Sequence, residues 1–187
     1  MTTSLSERRG EVAMMCLIAA EAAIFTIFVV AYLYYLGKSL SGPQPRDVLH
    51  APILMTICLL SSSVTIHAAV KALAHGRVGA FTGWWLATLA LGVVFLAGTG
   101  VEWRHLITVE GLTIGTNLFG TTYYSLVGLH AFHVAVGVVI LAIGSLFGVL
   151  GYVTARHAGR AEVFSLYWHF VDGVWVVVFL VVYVIGR

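Results

Sequence analysis

The chain has 187 residues, of which 60% are apolar and only 10% charged, against roughly 25% charged in an ordinary soluble domain. With a mean hydropathy of +0.98, that composition excludes both a soluble globular protein and a disordered one, because a chain this apolar must bury itself in something. A net charge of +2 and the lack of any long Lys or Arg run exclude nucleic acid as a partner.

A bilayer is the remaining solvent, and a crossing of its ~30 Å hydrocarbon core needs about 20 apolar residues. The apolar runs predict an all-α, polytopic bundle of five transmembrane helices at about 12–36, 51–74, 81–101, 119–150 and 163–185, forming one integral membrane domain over 1–187. Strands are excluded because the runs are too long and do not alternate, and a lipid-exposed sheet edge is not viable.

The first span follows a polar MTTSLSERRG. It is longer than a signal-peptide core and is followed by no clear small-x-small cleavage site, so it is expected to remain in place. Glu21 falls near its midplane, in LIAAEAAIF. A carboxyl group at that depth costs roughly 2.5 kcal/mol or more and needs a partner or a function. Its role is structural or lipid-organising, or else proton-carrying. The proline-bearing GKSLSGPQPRDVLH reads as a loop. In the second span His67 stands near one end, where it can snorkel to the interface. Cys16 and Cys58 lie in apolar runs without CxxC spacing and read as small membrane-buried side chains.

AHGRVG joins spans two and three, and EWRHLITVEGLTIGTN, which holds Glu102, is expected to be the loop after span three. Span four begins LFGTTYYS and is longer than a crossing needs, which predicts tilt or overhang. TARHAGRAE, with Glu162 at its end, is read as the last loop. Trp84, Trp85, Trp103 and Trp168 lie near span ends, as aromatic-belt residues do, whereas Trp175 is deep enough to pack in the core. Gly83, Gly92, Gly128 and Gly137 are small enough to let helices approach closely.

Loop cations set the orientation. Arg8, Arg9, Lys71, Arg77, Arg156 and Arg160 fall on the N-terminal side and Lys38, Arg46, Arg104 and Arg187 on the other, which puts the N-terminus in the cytoplasm and the C-terminus outside. The acidic residues Glu7, Glu11 and Glu162 are matched by Asp47, Glu102 and Glu110 and do not oppose this.

His130 and His133 stand three apart on span four, and His169 and Asp172 repeat that spacing on span five. The four groups are expected to converge inside the bundle and satisfy one another. The donor types resemble a di-iron bundle site, but that site takes two ExxH pairs and the chain has a single one, Glu102-Trp103-Arg104-His105. Bis-His haem ligation by His130 or His133 with His169 is a further alternative, in a free-standing membrane electron carrier. No GxSxG, HExxH, Walker or Rossmann pattern is present.

EVFSLYWHFVDGVWVVVF, from Glu162 to Phe179, resembles the signature of subunit III of haem-copper respiratory oxidases. YYSLVGLHAFHVAVG, PILMTICLLSSSVT, LGVVF followed by Glu102-Trp103, and the acidic Glu21 are similar to the family's other elements, in the same order. The chain departs from the family pattern at Ala20, Met55, Thr99, Val127, Leu129 and Ala131, which removes hydrogen-bonding groups.

The resemblance implies the short, five-helix form of a non-catalytic core subunit in an oxygen-reducing, proton-pumping cytochrome c or quinol oxidase of the inner (plasma) membrane. Its partners would be catalytic subunit I, subunit II and other respiratory-complex subunits. Haems and copper would reside in those partners and none in this chain, which would carry bound phospholipids. By the same resemblance Glu21, Glu102, His130, His133, Glu162, Trp168, His169, Asp172 and Trp175 would act structurally or toward lipid and protons, not as catalytic or metal-binding residues. Such a subunit steadies the catalytic one, holds lipids and supports proton uptake or oxygen access. An accessory subunit of a nitric-oxide-reducing system would share these motifs.

Overall fold

Each apolar run forms a helix, because in hydrocarbon every backbone N–H and C=O must be satisfied within its own segment. The computed structural model describes residues 2–39, 41–49 and 51–186, without the side chains of 2–8 and 47. Arg187 and the side chains of Glu7, Arg8 and Asp47, which enter the charge count, lie outside the described residues. The helices are α1 (Thr2–Tyr35), a single turn α2 (Pro45–Val48), α3 (Ile53–Ala74), α4 (Val78–Thr108), α5 (Leu118–Val149) and α6 (Ala158–Phe179). A 3₁₀ turn, Ala155–His157, leads into α6, and a wider π-helical stretch, Leu180–Ile185, ends it. Five helices are long and apolar enough to cross a membrane, and no strand occurs among the described residues.

Three expected loops prove partly helical. α4 runs on to Thr108, so Glu102 and Trp103 stand on a helix; no Gly or Pro interrupts the segment between Gly100 and Gly111, where the chain takes φ 66°. The last span likewise begins at Ala158, primed by a capping box in which the Thr154 hydroxyl and backbone N–H both meet the His157 ring. The proline loop contains α2, with Pro45 in its first turn. With 32 residues, α5 is ~48 Å long at 1.5 Å per residue and overhangs a ~30 Å core.

α3 and α4 form a tight hairpin through Gly76 (φ 72°), α5 packs beside α4, and α6 lies among α1, α3 and α5. α1 touches α5 and α6 but is otherwise uncovered, with Ile27, Val30 and Tyr34 facing outward. The core is built around indoles. Trp85, Trp168 and Trp175 are buried and only Trp84 is exposed, so Trp85 and Trp168 are packing residues rather than belt residues. Trp168 lies against Gly137 and Gly92, and Trp85 against Gly144. The glycines therefore make room for rings. Gly83 has nothing within 4 Å of a would-be side chain and serves no such purpose.

A Cβ on Gly137 would come within 2.6 Å of Trp168, whose Nε1 is held at 2.8 Å by Ser62. Gly137→Ala is expected to destabilise the folded chain by about 1–3 kcal/mol. Gly83→Ala should be neutral or slightly stabilising. Thermal unfolding of the two variants in detergent measures the difference.

Candidate functional site: polar seams inside the bundle

Three hydroxyl residues of α3, Thr56, Ser62 and Ser63, meet α6. The Thr56 hydroxyl accepts from Trp175 Nε1 at 3.1 Å, and Ser62 from Trp168 Nε1 at 2.8 Å. Ser63 lies 3.0 Å from His169 Nδ1 and also donates to Asp172 Oδ2. Residue numbers rise on one helix as they fall on the other, which is an antiparallel register. Thr56 and Ser62 also bond their own helix: Thr56 donates to Pro52 O at 2.9 Å and Ser62 to Leu59 O at 2.6 Å. Each of these two hydroxyls therefore has its hydrogen committed and a lone pair turned to an indole.

A second seam joins α1 to α5. His133 Nε2 lies 3.1 Å from Glu21 Oε2, and its Nδ1 lies 2.8 Å from Leu129 O. A carbonyl only accepts, so Nδ1 carries a hydrogen, and the pair needs one further proton between Nε2 and the carboxylate. Tyr167 of α6 donates to His133 O at 3.0 Å, which ties the three helices together. The Glu21 side chain is 23% exposed on the outer surface of the bundle, so His133 secures a carboxyl group that the membrane would otherwise meet alone.

The expected four-residue convergence does not form. Three residues turn a helix by about 300°, leaving His130 and His133 some 60° apart; that is enough to send His133 to α1 and His130 inward. His130 is wholly buried, stacked on Trp175 at 5.0 Å and edge-on to Phe95 at 5.8 Å, with neither nitrogen hydrogen-bonded among the described residues. His169 and Asp172 stay together because both reach Ser63, a partner that carries no charge and was not singled out in the sequence. Asp172 Oδ1 finds no partner among the described residues.

Glu102 sits near the opposite end from Glu162. Its Oε1 accepts from Tyr183 at 3.0 Å and from Tyr123 at 3.5 Å, and the two phenols lie 3.3 Å apart. Neither tyrosine was expected there, since their helices are linked to α4 only in the fold. Glu162 is exposed in the first turns of α6, where its backbone carbonyl accepts from Ser165. His67 is exposed, and both cysteines are free, Cys16 on the outer surface of α1. Asn117, also unremarked in the sequence, caps α5 by accepting from Gly120 N–H at 2.8 Å and donates to Ser41 O and Pro43 O, both at 3.0 Å. Met55, at one departure from the family pattern, packs over Gly98.

His130 and His133 do not fit axial ligation of a haem. An axial ligand needs a free nitrogen aimed at room for a porphyrin. His133 has both nitrogens engaged, His169 Nδ1 faces Ser63, and His130 is enclosed by aromatic rings. Among the described residues no three His, Cys, Asp or Glu side chains come together.

Fold and seams define a five-span membrane bundle whose interior polar groups serve mainly to join its helices. Residues 8–187 match the family model described as cytochrome c oxidase subunit III. The chain is 33% identical over 171 residues to cytochrome c oxidase subunit 3 of Alkalihalophilus pseudofirmus, covering 90% of this chain and 83% of that protein. It is 36% identical to the Synechocystis protein of the same name, covering 90% and 72%, and 37% identical to that of Corynebacterium diphtheriae, covering 80% and 72%. The chain belongs to the cytochrome c oxidase subunit III family.

Ser63→Ala removes the donor to Asp172 and the contact to His169 while leaving the backbone unchanged. It should cost about 1–3 kcal/mol, the penalty of a buried polar group left unpaired. Ser63→Thr, which keeps the hydroxyl, should recover most of the loss. Unfolding midpoints in detergent, with equal values for Ala and wild type as the contrary result, decide this.

Proposed function

We propose that this chain is the non-catalytic core subunit III of a proton-pumping haem-copper terminal oxidase in aerobic respiration, held in the inner (plasma) membrane with its N-terminus cytoplasmic and its C-terminus outside. The observation that carries the reading is the conjunction of family membership with an interior whose polar groups are mostly committed to one another. The haems and copper of the partner subunits supply the electron chemistry of oxygen reduction. This chain's residues act by placement. Trp168, Trp175, His169 and Asp172 lock α6 to α3, Glu21 and His133 hold α1, and Glu102 fastens the end of α4 to α5 and α6.

The uncovered apolar face of α1 is the surface offered to catalytic subunit I and to structural phospholipids. Subunit II and the other respiratory-complex subunits complete the assembly. The loop-cation asymmetry supports the orientation. Glu21 is the residue suited to a proton role, since its carboxyl group is partly exposed on the bundle surface and lies 3.1 Å from His133 Nε2.

Purification from native membranes in mild detergent tests the assignment: the chain should co-migrate with a haem-copper catalytic subunit. A chain that never does so overturns it. Glu21→Gln keeps a hydrogen-bonding group facing His133 but removes the ionisable one. In the intact oxidase it should hasten turnover-dependent inactivation. Unchanged inactivation and pumping stoichiometry would withdraw the proton role from Glu21.

A further inference from the structure

A run of oxidisable rings crosses the bundle beside the helix seams. Trp103 and Tyr124, both half-buried, lie 5.5 Å apart between ring centroids, Tyr124 and Tyr123 5.2 Å apart, and Tyr183 and Trp175 6.4 Å apart. The Tyr123 and Tyr183 hydroxyls, 3.3 Å from each other, join the two halves. Five side chains of the two aromatic types that give up an electron most readily thus form one series from the edge of the bundle into its core.

Oxidation of such a ring leaves a radical cation, and in an apolar interior that charge is costly unless the N–H or O–H proton leaves. Only a base can take it. Tyr124 donates to Leu112 O at 2.9 Å and Trp175 Nε1 to the Thr56 hydroxyl at 3.1 Å, and neither oxygen is a base. Trp103 Nε1 has no partner among the described residues. The middle of the series is different: Tyr183 donates to Glu102 Oε1 at 3.0 Å, and Tyr123 shares that carboxylate oxygen at 3.5 Å. Both phenols are buried, with 4% and 0% exposure, which keeps soluble reductants from them. Glu102 itself lines a surface pocket together with His105, and an accepted proton can leave by that route.

We propose that this series is a sink for one-electron oxidants, in which the oxidising equivalent comes to rest as a neutral radical on the Tyr123–Tyr183 pair. At Tyr183, the phenol nearer the carboxylate, the O–H bond breaks; the proton passes to ionised Glu102 and the electron passes through the neighbouring rings to the oxidant. With hydroxyl radical as the oxidant, the products are the phenoxyl radical, protonated Glu102 and hydroxide. The sink needs no group from a partner subunit.

The test uses the purified complex, oxidised by flash-generated tris(bipyridine)ruthenium(III), which returns to ruthenium(II), and frozen for electron paramagnetic resonance once the radicals of exposed side chains have decayed. A persistent tyrosyl radical is expected, coupled to an exchangeable proton, that of protonated Glu102, and the coupling should vanish in heavy water. Replacing both phenols, Tyr123→Phe with Tyr183→Phe, should abolish the persistent signal, whereas Tyr152→Phe, at a tyrosine that is 67% exposed, should leave it. Glu102→Gln keeps a carbonyl oxygen facing the phenols but removes the base, and should slow radical formation about a hundredfold. A Glu102 that only fastens helices predicts no change in that rate. An undiminished signal in the double variant, or an unchanged rate in Glu102→Gln, overturns the proposal. So does wild-type complex with no persistent tyrosyl radical coupled to an exchangeable proton, a readout that stands even where the variants fail to assemble. Because the oxidant is added from solution, failure to co-purify with a catalytic subunit, which overturns the oxidase reading, leaves this measurement intact.

Discussion

In hydrocarbon, one apolar helix gains little by leaving lipid for another, so the bundle depends on contacts that lipid cannot replace. The antiparallel α3–α6 seam is the principal one. Thr56, Ser62 and Ser63 meet Trp175, Trp168, His169 and Asp172 over about two turns of helix, and each contact fixes the register of the next. Slipping either helix by one residue would strand several buried polar atoms together. α4 and α5 then assemble on the same indoles, because Gly92 and Gly137 cradle the ring that Ser62 holds.

α1 is attached differently. It rests on α5 and α6 through Phe25, which meets His133 at 5.0 Å and Phe170 at 6.3 Å, and through the Glu21–His133 pair. At its far end Tyr32 fills the space left by the missing side chain of Gly186. A helix with so much apolar surface still exposed suits a subunit finished by its neighbours, and the carboxyl group it carries, Glu21, is partly exposed on the same surface.

The bundle ends are fixed by groups that belong to no seam. Asn117 joins the loop before α2 to the start of α5, and Tyr123 and Tyr183 bind the overhanging turn of α4 through one carboxylate oxygen of Glu102. At the opposite end a capping box starts α6, and beside it lies a pocket lined in part by His157 and Arg160. Polar side chains thus close one end of the bundle, while the other carries a largely apolar pocket.

The sequence by itself determined the bilayer as solvent, the five helices and the family, because hydropathy over ~20 residues and the YWHFVDGVW pattern are local properties that survive without knowing what packs where. It also placed His169 and Asp172 on one face. Only the tertiary structure decided their partner, since a serine among SSS has no signal that marks Ser63 over Ser62 or Ser61. The same holds for His130 and His133, whose shared spacing suggested one site and whose 60° offset sends them to two. It holds for Glu102 as well, which looked like a loop residue until the helix that carries it, and the two tyrosines that bind it, were in place. Periodicity tells which residues share a face; which helix that face meets is a long-range fact.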